Sequence, residues 1–234
     1  MSLLSFFGCA LTAYGPALAV FLVYVARSSQ LVILFISSAF FWLLSILVSS
    51  SICYAVGTSI NFHITIGVSV IVQELFRWLF FLLLRKAELG LTQMADKPKS
   101  VLNRPSWAVV SGFGFGAMSG LVSYISQLSL TINPGILVCK SCPSLDVFFV
   151  SAITTCLFVF LHIVWSMLAF EGWFRRSWLP FAAVFVSHYG ASYSTVLVSS
   201  SISGGCFYTF LILGAVLALD SFFAFRPILK LKSR

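Results

Sequence analysis

The sequence has little charge for its length. Only 9% of its 234 residues are charged and 60% are hydrophobic, whereas an ordinary soluble domain carries about 25% charged residues. A soluble chain of this size buries only about two-thirds of its surface, so it could not hide this much apolar side-chain area. The composition therefore excludes an ordinary soluble domain and indicates a membrane protein.

Charge is missing altogether from residues 1–26. A cleavable signal peptide needs a basic segment before a short apolar one, so we expect this run to be the first transmembrane helix. The net charge of +8 does not indicate nucleic-acid binding, because the basic residues lie between apolar runs.

Seven runs are long and apolar enough for a transmembrane helix, which needs about 20 residues. The predicted helices are 3–26, 31–55, 62–84, 106–130, 147–170, 178–198 and 205–225. Polar breaks at 57–61, 133–135 and 199–205 separate neighbouring runs. The runs do not alternate in polarity as the strands of a membrane β-barrel would. We therefore expect residues 1–234 to form a single all-α domain, a polytopic membrane bundle of seven helices.

Lysine and arginine are distributed unequally between the two sets of loops. Twelve of them follow the first, third, fifth and seventh predicted helices, one (Lys140) lies on the opposite side, and Arg77 lies within a helix. Cytosolic loops carry the excess of basic residues. This bias predicts a lumenal or extracellular N-terminus and a cytosolic C-terminus.

Three glycines recur at every fourth residue of the fourth predicted helix, at Gly112, Gly116 and Gly120. This spacing places them on one helix face. Because apolar burial does not drive helix association in lipid, small residues that allow close backbone approach take that role. The stripe predicts a tight helix seam, made either within the chain or with a partner.

Ionisable side chains lie inside three of the predicted helices. Glu74 and Arg77 are three residues apart, so they share a helix face, and each would cost roughly 2.5–3.5 kcal/mol if left unpaired in lipid. We expect an intramembrane charged pair. His162 and His188 lie on consecutive helices and predict a polar cavity or an interhelical contact, because a metal site needs more ligands.

Two cysteines lie in the loop after the fourth helix, within the run Cys139-Lys140-Ser141-Cys142. On the non-cytosolic side they could form a disulfide with each other. The other four cysteines lie in apolar runs and are expected to be small buried apolar residues; they are Cys9, Cys53, Cys156 and Cys206.

Catalytic interpretations are weaker. Ser119 could act with His188 or His162 as an intramembrane serine-type hydrolase, but small residues in a packing stripe are a simpler explanation. Asp146 and Asp220 lack the context of an intramembrane aspartyl protease. A seven-helix transporter or receptor is a further alternative, although no internal repeat supports it. We expect no catalytic residues, no metal and no cofactor.

Several local motifs, in order and at matching spacing, resemble the anterior-pharynx-defective family, the multi-pass scaffold subunit of γ-secretase. They include Phe6-Phe7-Gly8-Cys9, Tyr14-Gly15-Pro16-Ala17, Ala39-Phe40-Phe41-Trp42-Leu43, Gln73-Glu74-Leu75-Phe76-Arg77, the glycine stripe, Leu161-His162 with Trp165, and Ser187-His188. The loop 131–146 matches nothing in this pattern.

The resemblance implies a non-catalytic role in assembling an intramembrane protease. The implied partners are nicastrin, presenilin and the presenilin-enhancer subunit, together with membrane lipid and without nucleic acid. On this basis the glycine stripe would support assembly, and His162 and His188 would contact presenilin or line a polar cavity. The implied locations are the endoplasmic reticulum, the Golgi and the plasma membrane.

Overall fold

The computed structural model describes residues 3–57, 61–94, 104–132 and 137–232. Within these ranges the chain is helical and has no strands, apart from one isolated bridge between Val138 and Asp146. The helices are α1 (Leu3–Val20, continued by a π-helical turn Phe21–Val25), α2 (Ser29–Val56), α3 (Phe62–Met94), α4 (Arg104–Leu130), α5 (Val147–Phe174), α6 (Trp178–Ser194), α7 (Val196–Ser199) and α8 (Gly205–Lys232).

Among the described residues, seven helical segments are long and apolar enough to cross a membrane, which confirms the predicted all-α, seven-helix class. These spans are Leu3–Val25, Ser29–Val56, Phe62–Gly90, Pro105–Leu130, Val147–Phe174, Trp178–Ser199 and Gly205–Arg226. The sixth span includes both α6 and the single turn α7.

Two of the predicted breaks lie partly or wholly outside the described residues. Gly57 ends α2 with φ 98°, a value that favours glycine, while residues 58–60 lie outside the description. The predicted stop after α4 at 133–135 also lies outside it, as do Lys97, Lys99 and Arg234 from the basic loops.

Helix α3 is longer than predicted. It continues to Met94 rather than ending near residue 84, so the connection between the predicted helices 62–84 and 106–130 is shorter than expected. Helix α5 also continues past the predicted residue 170, to Phe174. The two extensions meet at one contact, where the Arg85 guanidinium lies over the Phe174 ring at 5.2 Å from its centroid.

Helix α5 lies at the centre of the bundle and packs against α1, α4, α6 and α8. It begins at Asp146, whose carboxylate accepts a hydrogen bond from the Phe148 amide at 2.7 Å and so satisfies a free N–H of the first turn. Helix α4 lies between α5 and α2, and α3 contacts α2 and α6. The polar side chains of α3, α5 and α6 therefore face one another inside the bundle.

Candidate functional site

The glycine stripe of α4 packs against α5 of the same chain. A Cβ on Gly112 would lie 2.5 Å from the His162 carbonyl oxygen, and one on Gly116 would lie 2.6 Å from that of Val159. At Gly120 it would meet the Thr155 side chain at 3.0 Å. At Gly112 and Gly116, where the neighbouring atoms are backbone, only glycine allows this approach, so the stripe forms an internal seam.

A second face of α4 is equally close to α2. A Cβ on Gly114 would collide with the Ser38 hydroxyl and the Phe35 carbonyl oxygen. Gly114 was not singled out by sequence, because it lies outside the four-residue repeat. Helix α4 is thus held between α2 and α5 by glycines on opposite sides.

The close α4–α5 seam positions a buried polar cluster, which we define as Glu74, Arg77, His162 and His188. These four side chains are at most 2% exposed and lie near the middle of the α3, α5 and α6 spans. Arg77 forms an ion pair with Glu74. The predicted charged pair and the two predicted histidines therefore meet at one place.

Each histidine of the polar cluster makes a hydrogen bond to one of the charged groups. The Arg77 Nη2 group lies 2.9 Å from His162 Nδ1, and since arginine only donates, His162 Nδ1 is the acceptor. Glu74 Oε1 lies 2.7 Å from His188 Nδ1, so the Glu74 carboxylate accepts a hydrogen bond from the N–H group of that nitrogen. The two rings consequently hold different tautomers or protonation states.

Aromatic rings enclose the polar cluster. Trp165 stacks on His188 with ring centroids 4.2 Å apart and meets His162 edge-on at 5.2 Å. The Arg77 guanidinium lies 5.5 Å from the Phe115 centroid. These rings exclude lipid, which strengthens each electrostatic interaction inside the cluster.

Sequence reasoning missed two interactions beside the polar cluster. The Trp165 indole donates a hydrogen bond to Asp220 Oδ2 on α8 at 3.0 Å, and the Trp42 indole donates to Gln73 Oε1 at 3.1 Å. A polar side chain inside an apolar helix needs a partner, so Asp220 and Gln73 were detectable as residues that required one. Their partners were not detectable.

A cavity of about 440 Å³ lies beside the polar cluster, among α3, α4, α5 and α6. Eleven of its lining side chains carry a hydroxyl or an amide: Thr65, Ser69, Gln73, Ser119, Ser123, Gln127, Ser151, Thr154, Thr155, Ser192 and Thr195. Gln73 precedes Glu74 in the chain, so the cavity approaches the polar cluster at that point. Neutral hydroxyl and amide groups of this kind can hold water.

Ser119 lines this cavity, but the described contacts include no hydrogen bond from its hydroxyl to either histidine. The Nδ1 atoms of His162 and His188 are engaged by Arg77 and Glu74. In the described ranges no three His, Cys, Asp or Glu side chains are grouped as metal ligands would be.

Cys139 and Cys142, for which a mutual disulfide was one possibility, are not bonded to each other. Cys142 is bonded instead to Cys206 at the start of α8, with the two Cα atoms 6.2 Å apart. Cys139 is a buried free thiol. The two cysteines belong to one turn, in which Cys142 N donates a hydrogen bond to the Cys139 carbonyl oxygen at 3.2 Å. Cys206, expected to be a small buried apolar residue, is instead the disulfide partner.

Hydrogen bonds accompany this disulfide. The Ser141 hydroxyl donates to the Val198 carbonyl oxygen at 2.9 Å, and the Gly204 amide donates to the Ser141 carbonyl oxygen at 2.8 Å. The α4–α5 loop is thereby fixed to the connection between α6 and α8. We call this end of the bundle, defined by Cys142, Cys206 and their loops, the disulfide end.

Comparison with known proteins assigns the chain to a family. A family model described as Aph-1 protein matches residues 4–230. Gamma-secretase subunit APH-1B of Mus musculus is 37% identical over 202 residues, which are 82% of this chain and 78% of that protein. Gamma-secretase subunit Aph-1b of Danio rerio is 34% identical over 226 residues (92% and 87%), and Gamma-secretase subunit Aph-1 of Drosophila melanogaster is 34% identical over 200 residues (84% and 82%). This chain belongs to the Aph-1 protein family.

Proposed function

We propose that this chain is a non-catalytic scaffold subunit of a γ-secretase intramembrane protease complex. The observation that carries the proposal is the match over residues 4–230, together with relatives named as gamma-secretase subunits. In this role the chain supports presenilin-dependent cleavage of type I membrane proteins, including Notch and amyloid-precursor-like substrates. It resides in the endoplasmic reticulum, the Golgi and the plasma membrane.

The partners in this proposal are nicastrin, presenilin and the presenilin-enhancer subunit. Large apolar side chains on the outer faces of the bundle, such as Leu47 on α2 and Phe223 on α8, are more than half exposed. In a bilayer such faces can pack against lipid or against the helices of other subunits. A scaffold needs surfaces of this kind.

The polar cluster supports a structural role over a catalytic one. Glu74 Oε1 is held by both Arg77 and His188, and Glu74 Oε2 is buried and has no hydrogen-bond partner among the described residues. The cationic partner of this carboxylate is therefore a residue of the same cluster, as in a structural ion pair. The charges are neutralised within the cluster, which fixes α3 against α5 and α6. We propose that His162 and His188 act by holding the shape of the presenilin-facing bundle and its polar cavity.

The internal seam changes the proposed role of the glycine stripe. Because Gly112 and Gly116 meet backbone atoms of α5, they support assembly by shaping this subunit rather than by receiving a partner helix. The predicted orientation, with the N-terminus lumenal or extracellular and the C-terminus cytosolic, belongs to the same proposal. The disulfide supports it, because disulfides persist in oxidising compartments.

The test is the composition of the complex. The full-length chain, tagged at its C-terminus, is purified in mild detergent and its companions are identified by mass spectrometry. We expect nicastrin, presenilin and the presenilin-enhancer subunit in constant ratio. Recovery as a lone, stable monomer contradicts the scaffold function, and proteolysis by the isolated chain that Ser119→Ala abolishes supports the hydrolase alternative.

A further inference from the structure

Asp220 is a carboxylate within the apolar span of α8, and it is 8% exposed. Its Oδ2 accepts the indole N–H of Trp165, 3.0 Å away on α5. Tryptophan has a single polar group and only donates, so this bond fixes the direction of the indole edge. Besides its packing on α5, the C-terminal helix is therefore joined to the bundle centre by a hydrogen bond between two side chains.

The face of the same indole supports His188. The two rings are stacked, with centroids 4.2 Å apart and an interplanar angle of 27°. Trp165 is fully buried and His188 is 2% exposed, so neither ring can turn without displacing its neighbours. The plane of the indole consequently determines the plane of the imidazole.

The plane of the imidazole determines in turn whether its nitrogen reaches α3. His188 Nδ1 lies 2.7 Å from Glu74 Oε1, and hydrogen bonds weaken steeply when the donor is misdirected. Glu74 also holds Arg77, which reaches His162. A tilt of the indole would therefore be transmitted to the whole polar cluster.

We propose that Asp220 is a positioning residue: by holding the indole of Trp165 it fixes the ring of His188 and keeps Nδ1 of that ring on Glu74. This inference rests on the proposed function and deepens it, since it connects α8 to the polar cluster that shapes the scaffold. Asp220 reaches the His188 ring through Trp165. It also has a side-chain hydrogen bond with Ser187, the residue before His188, and Trp165→Phe leaves that bond in place.

The experiment uses the imidazole nitrogens of the full-length chain as the readout. The chain contains only three histidines, so ¹⁵N-histidine labelling and solid-state NMR in lipid bilayers give few signals. His63→Gln and His162→Gln assign the remainder to His188. We expect the wild-type His188 signals of a ring that carries a proton on Nδ1.

Three variants separate positioning from simple burial. Asp220→Asn keeps an oxygen that accepts the indole N–H, so the His188 signals should stay as in the wild type. Asp220→Leu and Trp165→Phe each remove one side of this bond, so both should shift or split the His188 signals. Glu171→Gln, which removes an exposed carboxylate paired with Arg175, is the matched control and should leave them unchanged.

Unchanged His188 signals in Asp220→Leu overturn the proposal. If Asp220→Leu does not fold, Trp165→Phe decides the question by the same criterion, since it keeps both the carboxylate and an aromatic ring. Recovery of the γ-secretase complex is measured on the same variants. We expect about a five- to tenfold loss for Asp220→Leu, as for one lost buried hydrogen bond, with rescue in Asp220→Asn. If the His188 signals change but the complex is fully recovered, the positioning role of Asp220 is supported and its link to assembly is contradicted.

Discussion

At the scale of single residues, removal of the Arg77 guanidinium tests how the charges of the polar cluster compensate one another. It forms the ion pair with Glu74 and donates to His162 from a fully buried position. Removing one partner of a buried pair leaves the other charge uncompensated. The two partners are therefore not independent, and double substitution distinguishes pairing from packing.

Arg77→Met should lower the free energy of unfolding by about 3–5 kcal/mol, because it leaves Glu74 buried without its cation. The double variant Glu74→Gln/Arg77→Met should recover much of that loss. Chemical unfolding in mixed micelles measures both values.

The control for Arg77→Met is Arg175→Met, which breaks the ion pair with Glu171 in a more exposed setting, the two side chains being 61% and 40% exposed. A surface pair of this kind contributes at most about 1 kcal/mol. Equal effects of the two substitutions, or no recovery in the double variant, would contradict the compensation argument.

At the scale of helices, the α4–α5 seam decides where the polar cluster forms. Gly116→Leu should lower the stability of the isolated chain by about 1–3 kcal/mol, the usual cost of overpacking. The Cβ of a residue at position 116 would by itself lie 2.6 Å from the Val159 carbonyl oxygen. The loss of stability is measured by thermal unfolding in detergent, with the electrophoretic mobility of the folded chain as the signal.

Gly214→Leu is the matched control for Gly116→Leu, because a Cβ at this glycine of α8 meets no atom within 4 Å. It should leave the isolated chain as stable as the wild type. If Gly116→Leu also leaves the isolated chain stable and weakens only recovery of the complex, the stripe contacts a partner and the internal seam is not its main role.

The disulfide joins two connections that are far apart in the chain. Cys206→Ser should free the Cys142 thiol and reduce stability by about 2–4 kcal/mol, since a disulfide restricts the unfolded chain. Alkylation of the unfolded, non-reduced protein followed by mass spectrometry identifies the free thiols. Cys139→Ser is the control and should leave Cys142 and Cys206 bonded; a Cys139–Cys142 bond in the wild type would contradict this pairing.

At the scale of the whole molecule, the seven spans among the described residues predict that the two termini lie on opposite sides of the membrane. An N-glycosylation acceptor site inserted in the α4–α5 loop near Lys140 should be modified in cells, because the basic-residue bias places this loop outside the cytosol. The same acceptor inserted at the start of the α5–α6 turn, beside Arg175, should not be modified. The reverse pattern would show that the orientation is the opposite of the predicted one. Modification is measured as a change in gel mobility that endoglycosidase removes.

The sequence alone determined the features that depend on one segment at a time. A run of about 20 apolar residues has few alternatives to a spanning helix, so the seven helices followed from composition. Neighbours on one helix face also followed from the helical repeat, which is why Glu74 with Arg77, and Gly112 with Gly116, were grouped correctly.

Only the tertiary structure decided which segments meet. Gly116 faces α5, Cys142 bonds Cys206, and Trp165 donates to Asp220. In lipid every helix is apolar, so periodicity shows which face is unusual without showing which helix covers it. The contact between His188 and Glu74, which are 114 residues apart, depends on how seven similar helices pack. Close backbone approach and hydrogen bonds between buried polar groups determine that packing.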